Sequence, residues 1–325
     1  MNKFKGWVSA VCVLMLLAAN CVAESTEPTA GESAPMTVSV TVPAEKETAL
    51  PIDFSGGMEP IEANFVEDKN SWSYEDPTIS VTIETGRTKG NMGCDYWIAT
   101  IKIQDPSQLR TASKSGFDRS DHVKGTTLAK RMNAVLAING DYYSYTAKPF
   151  VLRQGQMFVN LLDGERDILL IDEDGDFHGL KLPQKEDITG VEAEGETVYE
   201  IEGKRIINAF NFGPILVLDG KVYEKMALRA DMAAKDRKQR MAIAQSGPLE
   251  YKCICCGPPA RGSYGMTLMD FAKLVAKQNV QIAYNLDGGD STMMIFNGKK
   301  INDKKNKSTR DIVDIIYFAS AYEGN

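Results

Sequence analysis

Asp287 ends the short run Tyr284-Asn-Leu-Asp287 and is followed by Gly288, Gly289, Asp290, Ser291 and Thr292 before a second apolar run opens at Met293. Adjacent glycines let a backbone approach a ligand closely and expose N–H groups to an anion. A carboxylate beside such a loop is placed to act as acid, base or ligand, although an ordinary hairpin turn has the same look. Asn139 and Asp141 occupy a similar place in Ala137-Ile-Asn-Gly-Asp-Tyr-Tyr-Ser144. They supply an amide and a carboxylate, or they form a tight turn with aromatic packing. Arg240 opens Met241-Ala-Ile-Ala-Gln245 after a basic stretch, and Arg310 precedes Ile312-Val-Asp-Ile-Ile316. An arginine at a strand end grips phosphate bidentately; a solvated charge run is the plainer alternative.

Other chemistries find less support. Ser291 lies outside a Gly-x-Ser-x-Gly elbow, and His122 and His178 show no partner pattern, so a Ser-His-Asp hydrolase is poorly matched. Asp172-Glu-Asp-Gly-Asp176 has its glycine too early for a calcium loop and reads as a charged turn. Of six cysteines, Cys253 and Cys255 alternate along an apolar run with no second pair at zinc-ligand spacing, so they read as buried thiols.

The elements that would position these residues are mainly strands. Thr78–Glu84 and Trp97–Ile103 alternate with period two, as half-buried strands do. Asp174-Gly175, Asp219-Gly220 and Asn297-Gly298 each follow an apolar run and predict tight turns between antiparallel strands. A short helix is predicted over Leu128–Val135, running into a strand near Ala137. A second follows Thr267, which is spaced from Asp270 as a capping box, with a stripe at Leu268, Phe271, Ala272 and Val275. Ala227–Arg240 reads as part helix. With no βαβ rhythm, the fold class expected is α+β: one domain of mixed, largely antiparallel β-sheet with a few packed helices.

The chain's 325 residues suffice for a sizeable core, and its net charge of −7 disfavours nonspecific nucleic-acid binding. Lys3 and Lys5 precede an apolar stretch from Trp7 to Ala19, the pattern of a signal peptide over residues 1–23. Cleavage after Ala23 and lipidation at Cys21 both fit, so the expected destination is periplasmic, secreted or a surface lipoprotein, with Cys21 the sole membrane attachment. Residues 24–70 are expected to form a polar tether or leader, and 71–325 the globular domain.

Taken in order, the polar segments resemble the phosphodiester glycosidase family. Asn139-Gly-Asp-Tyr-Tyr143 is similar to the family's Asn-Gly-Gly-Phe-Phe, and Asn211-Phe-Gly-Pro-Ile-Leu-Val217 to its Gly-x-Pro-x-Leu-Val. Arg240-Met-Ala-Ile243 is similar to Arg-Thr-Ala-Ile, and Gly265-Met-Thr-Leu268 to Gly-Met-Thr-Leu before a helix. Asn285-Leu-Asp-Gly-Gly-Asp-Ser-Thr292 is similar to Asn-Leu-Asp-Gly-Gly-Gly-Ser-Ser/Thr, and Arg310-Asp-Ile-Val313 to the terminal Arg-x-Val segment. The likeness runs over about residues 75–320.

The resemblance implies hydrolysis of the bond between a sugar's anomeric carbon and a phosphodiester, the sugar being like N-acetylglucosamine and the substrate a surface or extracellular glycan. It implies Asp287 as central carboxylate, Asp141 as second, and Asn139 orienting the substrate. Arg240 and Arg310 would hold the phosphodiester, and Gly288, Gly289, Asp290, Ser291 and Thr292 would form the substrate loop. No cofactor is expected. Asp141 and Asp290 replace family glycines; as a pair they would add acid/base capacity, bind a divalent cation or select another sugar. A noncatalytic surface protein binding phosphodiester-linked glycans is the second reading, and a cation-dependent hydrolase of another phosphodiester the third.

Overall fold

The computed structural model describes residues 48–193, 195–226, 234–257, 263–303 and 309–324. The expected signal peptide, Cys21, the leader up to residue 47 and the first half of the helix expected from Ala227 lie outside them. Within the compact unit the described residues begin at 48, before the boundary expected at 71. The early segment is held by Arg110, whose fully buried guanidinium donates to the carbonyls of Pro51, Asp53 and Ser55 at 2.9–3.1 Å. No helix among the described residues is long and apolar enough to cross a membrane.

Strands dominate, and every described strand pair is antiparallel. The expected mixed sheet therefore resolves into several purely antiparallel ones. The largest has nine strands, with Ile79–Arg87, Asp95–Ile103, Glu250–Cys256, Arg240–Gly247, Ile282–Leu286 and Ile215–Leu218 adjacent in that order. A five-stranded sheet orders Lys299–Lys300, Met294–Phe296, Ala134–Asn139, Asp314–Ala319 and Leu109–Ser113. A seven-stranded sheet contains Phe150–Arg153, Ile168–Asp172 and Lys204–Phe210, and Asp311–Ile312 pairs with Val123–Lys124.

Period-two alternation explains the layering, because successive side chains leave a strand on opposite faces. Val81, Ile83, Ile101, Ile243 and Leu286 of the nine-stranded sheet meet Leu136, Ile138, Phe296 and Phe318 of the five-stranded sheet in one core. On the far side of the large sheet, Ala242, Ala244, Ile254 and Ala283 pack beneath α2 (Leu268–Ala276), through its Leu268, Phe271, Ala272 and Val275. On the far side of the smaller sheet, Ala137, Ile295 and Ile315 pack beneath α1 (Gly125–Arg131), through Leu128 and Ala129. Helix, sheet, sheet, helix is thus the order of layers. Each fully buried large apolar side chain contributes roughly 1.5–3 kcal/mol to that arrangement.

Local signals act as expected in several places. Asp219 and Gly220 both take positive φ in their hairpin, as do Asn297 and Gly298. Thr267 caps α2 by accepting from the backbone N–H of Asp270 at 3.1 Å. α1 ends at Arg131, sooner than expected, because Asn133 takes positive φ and turns the chain into the Ala134–Asn139 strand. Residues 234–239 are not helical, and Arg240 begins a strand. Cys94, Cys253, Cys255 and Cys256 are buried free thiols.

Candidate functional site

One end of the central core gathers the chain's unusual polar groups. There Ala134–Asn139 and Ile282–Leu286 finish, Asp314–Ala319 begins beside Asn139, and Met294 pairs with Ile138. Asn139 joins the two sheets. Its amide donates to the carbonyl of Asp287 at 2.9 Å and to that of Gly140 at 3.0 Å, while its oxygen accepts from Met293 N–H at 3.2 Å. With both ends of its amide spent on backbone, Asn139 positions the Asp287 loop.

A small pocket opens at this end, lined among others by Asn139, Asp141, Tyr142, Asp287, Ser291, Arg310 and Asp314. Asp287 accepts from Gly288 N–H at 2.8 Å and from the Ser291 hydroxyl. Arg310 is exposed; it donates to Ser291 Oγ at 3.2 Å and also to the Tyr142 hydroxyl. Burial pushes the Asp287 carboxyl up to about 6, against the pull of Ser291, Gly288 N–H and Arg310. A carboxyl poised there changes charge in the range where acid/base chemistry is run.

The loop glycines serve the protein's own backbone. Gly288 lies against the carbonyl of Gln239, where a Cβ would clash, and Gly289 has φ +57°. Gly289 N–H donates to Gln239 O at 3.0 Å and Gly288 N–H to the Asp287 carboxylate, so both N–H groups are taken up within the protein. Residues 289–291 form a single 3-10 turn. It buries Ser291 and Thr292 and leaves Asp290 exposed.

Asp141, expected as the second carboxylate, lines the pocket with its charge paired inside the protein. It is enclosed with Arg153, which donates to its Oδ1 at 2.8 Å, and its Oδ2 accepts from Asn211 N–H at 2.8 Å. The same guanidinium donates to Asp314 Oδ2 from Nε at 3.2 Å and Nη2 at 3.0 Å, and lies 4.3 Å over the Phe210 ring. All three charged side chains are essentially inaccessible to solvent. Asp290 stands outside this cluster, so the expected Asp141/Asp290 pair does not form. Arg240 does not line the pocket either. Its buried guanidinium donates to the carbonyls of Met266 at 3.3 Å and Asp236 at 2.9 Å, bracing the loop that supports Gly288 and Gly289.

Reading the sequence missed Asp314, Arg153, Tyr142 and His122. Asp314 carried a signal: a lone charge inside Ile312-Val-Asp-Ile-Ile316, at a position buried in the sheet. Tyr142 and Tyr145 stack at 4.4 Å on the pocket's rim, with His122 6.1 Å from the Tyr145 ring. Their contact depends on loop geometry that residue spacing does not reveal.

Residues 132–319 match the model of a family described as phosphodiester glycosidase. No curated protein matches the chain at a significant level. Among solved structures, the catalytic domain of zebrafish N-acetylglucosamine-1-phosphodiester alpha-N-acetylglucosaminidase, auto-inhibited by its pro-peptide, is similar with a TM-score of 0.60 at 17% identity. The similarity covers 76% of this chain and 85% of that one. A hypothetical protein from Synechocystis is similar with a TM-score of 0.47 at 14% identity, over 74% of this chain and 62% of that one. At 17% identity the likeness to the zebrafish catalytic domain is one of fold.

Proposed function

The chain belongs to the phosphodiester glycosidase family, and we propose that it hydrolyses the glycosidic bond between a sugar and a phosphodiester, with Asp287 as the central carboxylate. The observation that supports this most is the pairing, in one small pocket, of a partly desolvated carboxyl at Asp287 with the exposed guanidinium of Arg310. Arg310 holds the phosphodiester, and its link through Ser291 sets the distance between phosphate and carboxylate. Asp287 faces the anomeric carbon, stabilises its developing positive charge and receives the proton of the attacking water. Asn139 and Arg240 position the loop that carries Asp287. The stacked Tyr142 and Tyr145 offer an apolar face to the sugar ring.

The substrate class we propose is an N-acetylglucosamine-like sugar linked to a phosphodiester in a surface or extracellular glycan, cleaved without a cofactor. The protein would meet it after export, directed by residues 1–23, either free or anchored through Cys21. The test uses N-acetylglucosamine 1-(methyl phosphate). Free sugar and methyl phosphate are expected, with kcat falling about 10²–10⁴-fold in Asp287→Asn. Saturable binding without turnover would favour a glycan-binding protein instead.

A further inference from the structure

Asp314 has one carboxylate oxygen committed and one left over. Oδ2 receives both donors from Arg153, whereas Oδ1 is buried, lacks a hydrogen-bond partner and belongs to a side chain that lines the pocket with Asp287. A buried carboxylate oxygen without a donor is costly, and that cost disappears when the oxygen carries a proton. Gly140 shapes this place: a Cβ there would collide with the Asp314 carboxylate, and Gly140 N–H donates to the Asp314 carbonyl at 3.1 Å.

The charges around Asp314 give the same answer. Asp141, Asp287 and Asp314 face two cations, Arg153 and Arg310, with His122 and Asp311 at the rim and Tyr143 against the trio. Three ionised carboxylates in so dry a place would leave an excess negative charge. One retained proton removes it. Asp141 uses both oxygens as acceptors, and Asp287 accepts from Gly288 N–H and Ser291. Only Asp314, of the three, has a bare buried oxygen to carry that proton.

We propose that Asp314 is the proton donor of the hydrolysis, holding a proton on Oδ1 in the resting protein and passing it to the departing phosphate oxygen. The inference rests on the glycosidase reading. As the bond from the anomeric carbon to oxygen breaks, its electron pair stays on the phosphate oxygen, which takes the Asp314 proton. Water supplies hydroxide to the anomeric carbon and its remaining proton to Asp287, from which it returns to Asp314. A phosphomonoester's second ionisation falls at about pH 6, so a weak acid is well matched to it. Burial pushes Asp314 up to about 7, with Arg153 opposing and Asp141 and Asp287 adding to the rise.

Asp314→Asn keeps an oxygen for Arg153 and removes the proton. The variant is expected to lose about 10²-fold in kcat/KM on the methyl phosphodiester, to lose the alkaline limb of the pH profile, and to keep near-wild-type turnover of the corresponding glycosyl fluoride, whose leaving group needs no proton. Infrared spectra of the unliganded protein near neutral pH should show a carboxylic-acid band that Asp314→Asn abolishes; this readout needs no activity. Equal loss on both substrates, an unchanged pH profile, or a wild-type spectrum without that band would overturn the role. Failure of the wild type to release sugar, with the infrared band present, would overturn only the glycosidase reading.

Discussion

Asp141 and Asp287 look alike in sequence, each just after an apolar run and beside glycine, yet the structure gives them different surroundings. Both line the pocket, but Asp141 is fully buried against Arg153, whereas Asp287 keeps some exposure and accepts from Gly288 N–H and the Ser291 hydroxyl. What separates them is the guanidinium between Asp141 and Asp314. Because breaking a buried pair leaves uncompensated charge, Arg153→Met is expected to cost about 3–5 kcal/mol, read by denaturant unfolding. Replacing Arg310, which is exposed, should leave stability nearly unchanged while raising KM for the phosphodiester. The pH dependence of kcat follows from the same carboxyls. Asp287, raised to about 6, must lose its proton to act, so activity climbs with pH through that region. Asp314, raised to about 7, must keep its proton, so activity falls beyond it. A narrow bell is expected, its two limbs belonging to the coupled pair.

Hairpins and α2 were legible because their signals are local. Asp219-Gly220 and Asn297-Gly298 accept positive φ wherever they occur, and Thr267 caps whatever helix follows it. The Arg153 trio was not legible, because it exists only where Phe150–Arg153 comes beside the end of Ala134–Asn139 and the start of Asp314–Ala319. Arg240 shows the converse: a strand-end arginine that looked like a phosphate ligand is consumed by the carbonyls of Asp236 and Met266, a pairing no spacing rule supplies. α2 covers the sheet face opposite the central core, so its stability should be separable from chemistry. Thr267→Ala is expected to lower unfolding free energy by about 1 kcal/mol while kcat stays constant.

For the whole molecule, two facing antiparallel sheets with a helix outside each make a rigid frame that brings distant segments to one end. Residues 139–142, 287–291 and 310–314 meet there although long stretches of chain separate them. The compact unit also reaches further toward the N-terminus than composition suggested. A polar stretch without periodicity read as leader, but Pro51, Asp53 and Ser55 supply the acceptors that Arg110 needs inside the protein. A chain beginning at Lys46 should therefore fold like the full chain. One beginning at Ser71 should be destabilised by several kcal/mol, because it leaves a buried guanidinium short of partners. The claim that most depends on this whole arrangement is which bond breaks. Hydrolysis of the sugar phosphodiester in water enriched in heavy oxygen locates that bond by mass spectrometry of the products. The account predicts the label on the anomeric hydroxyl of the released sugar, with none in the phosphate; label in the phosphate would contradict it.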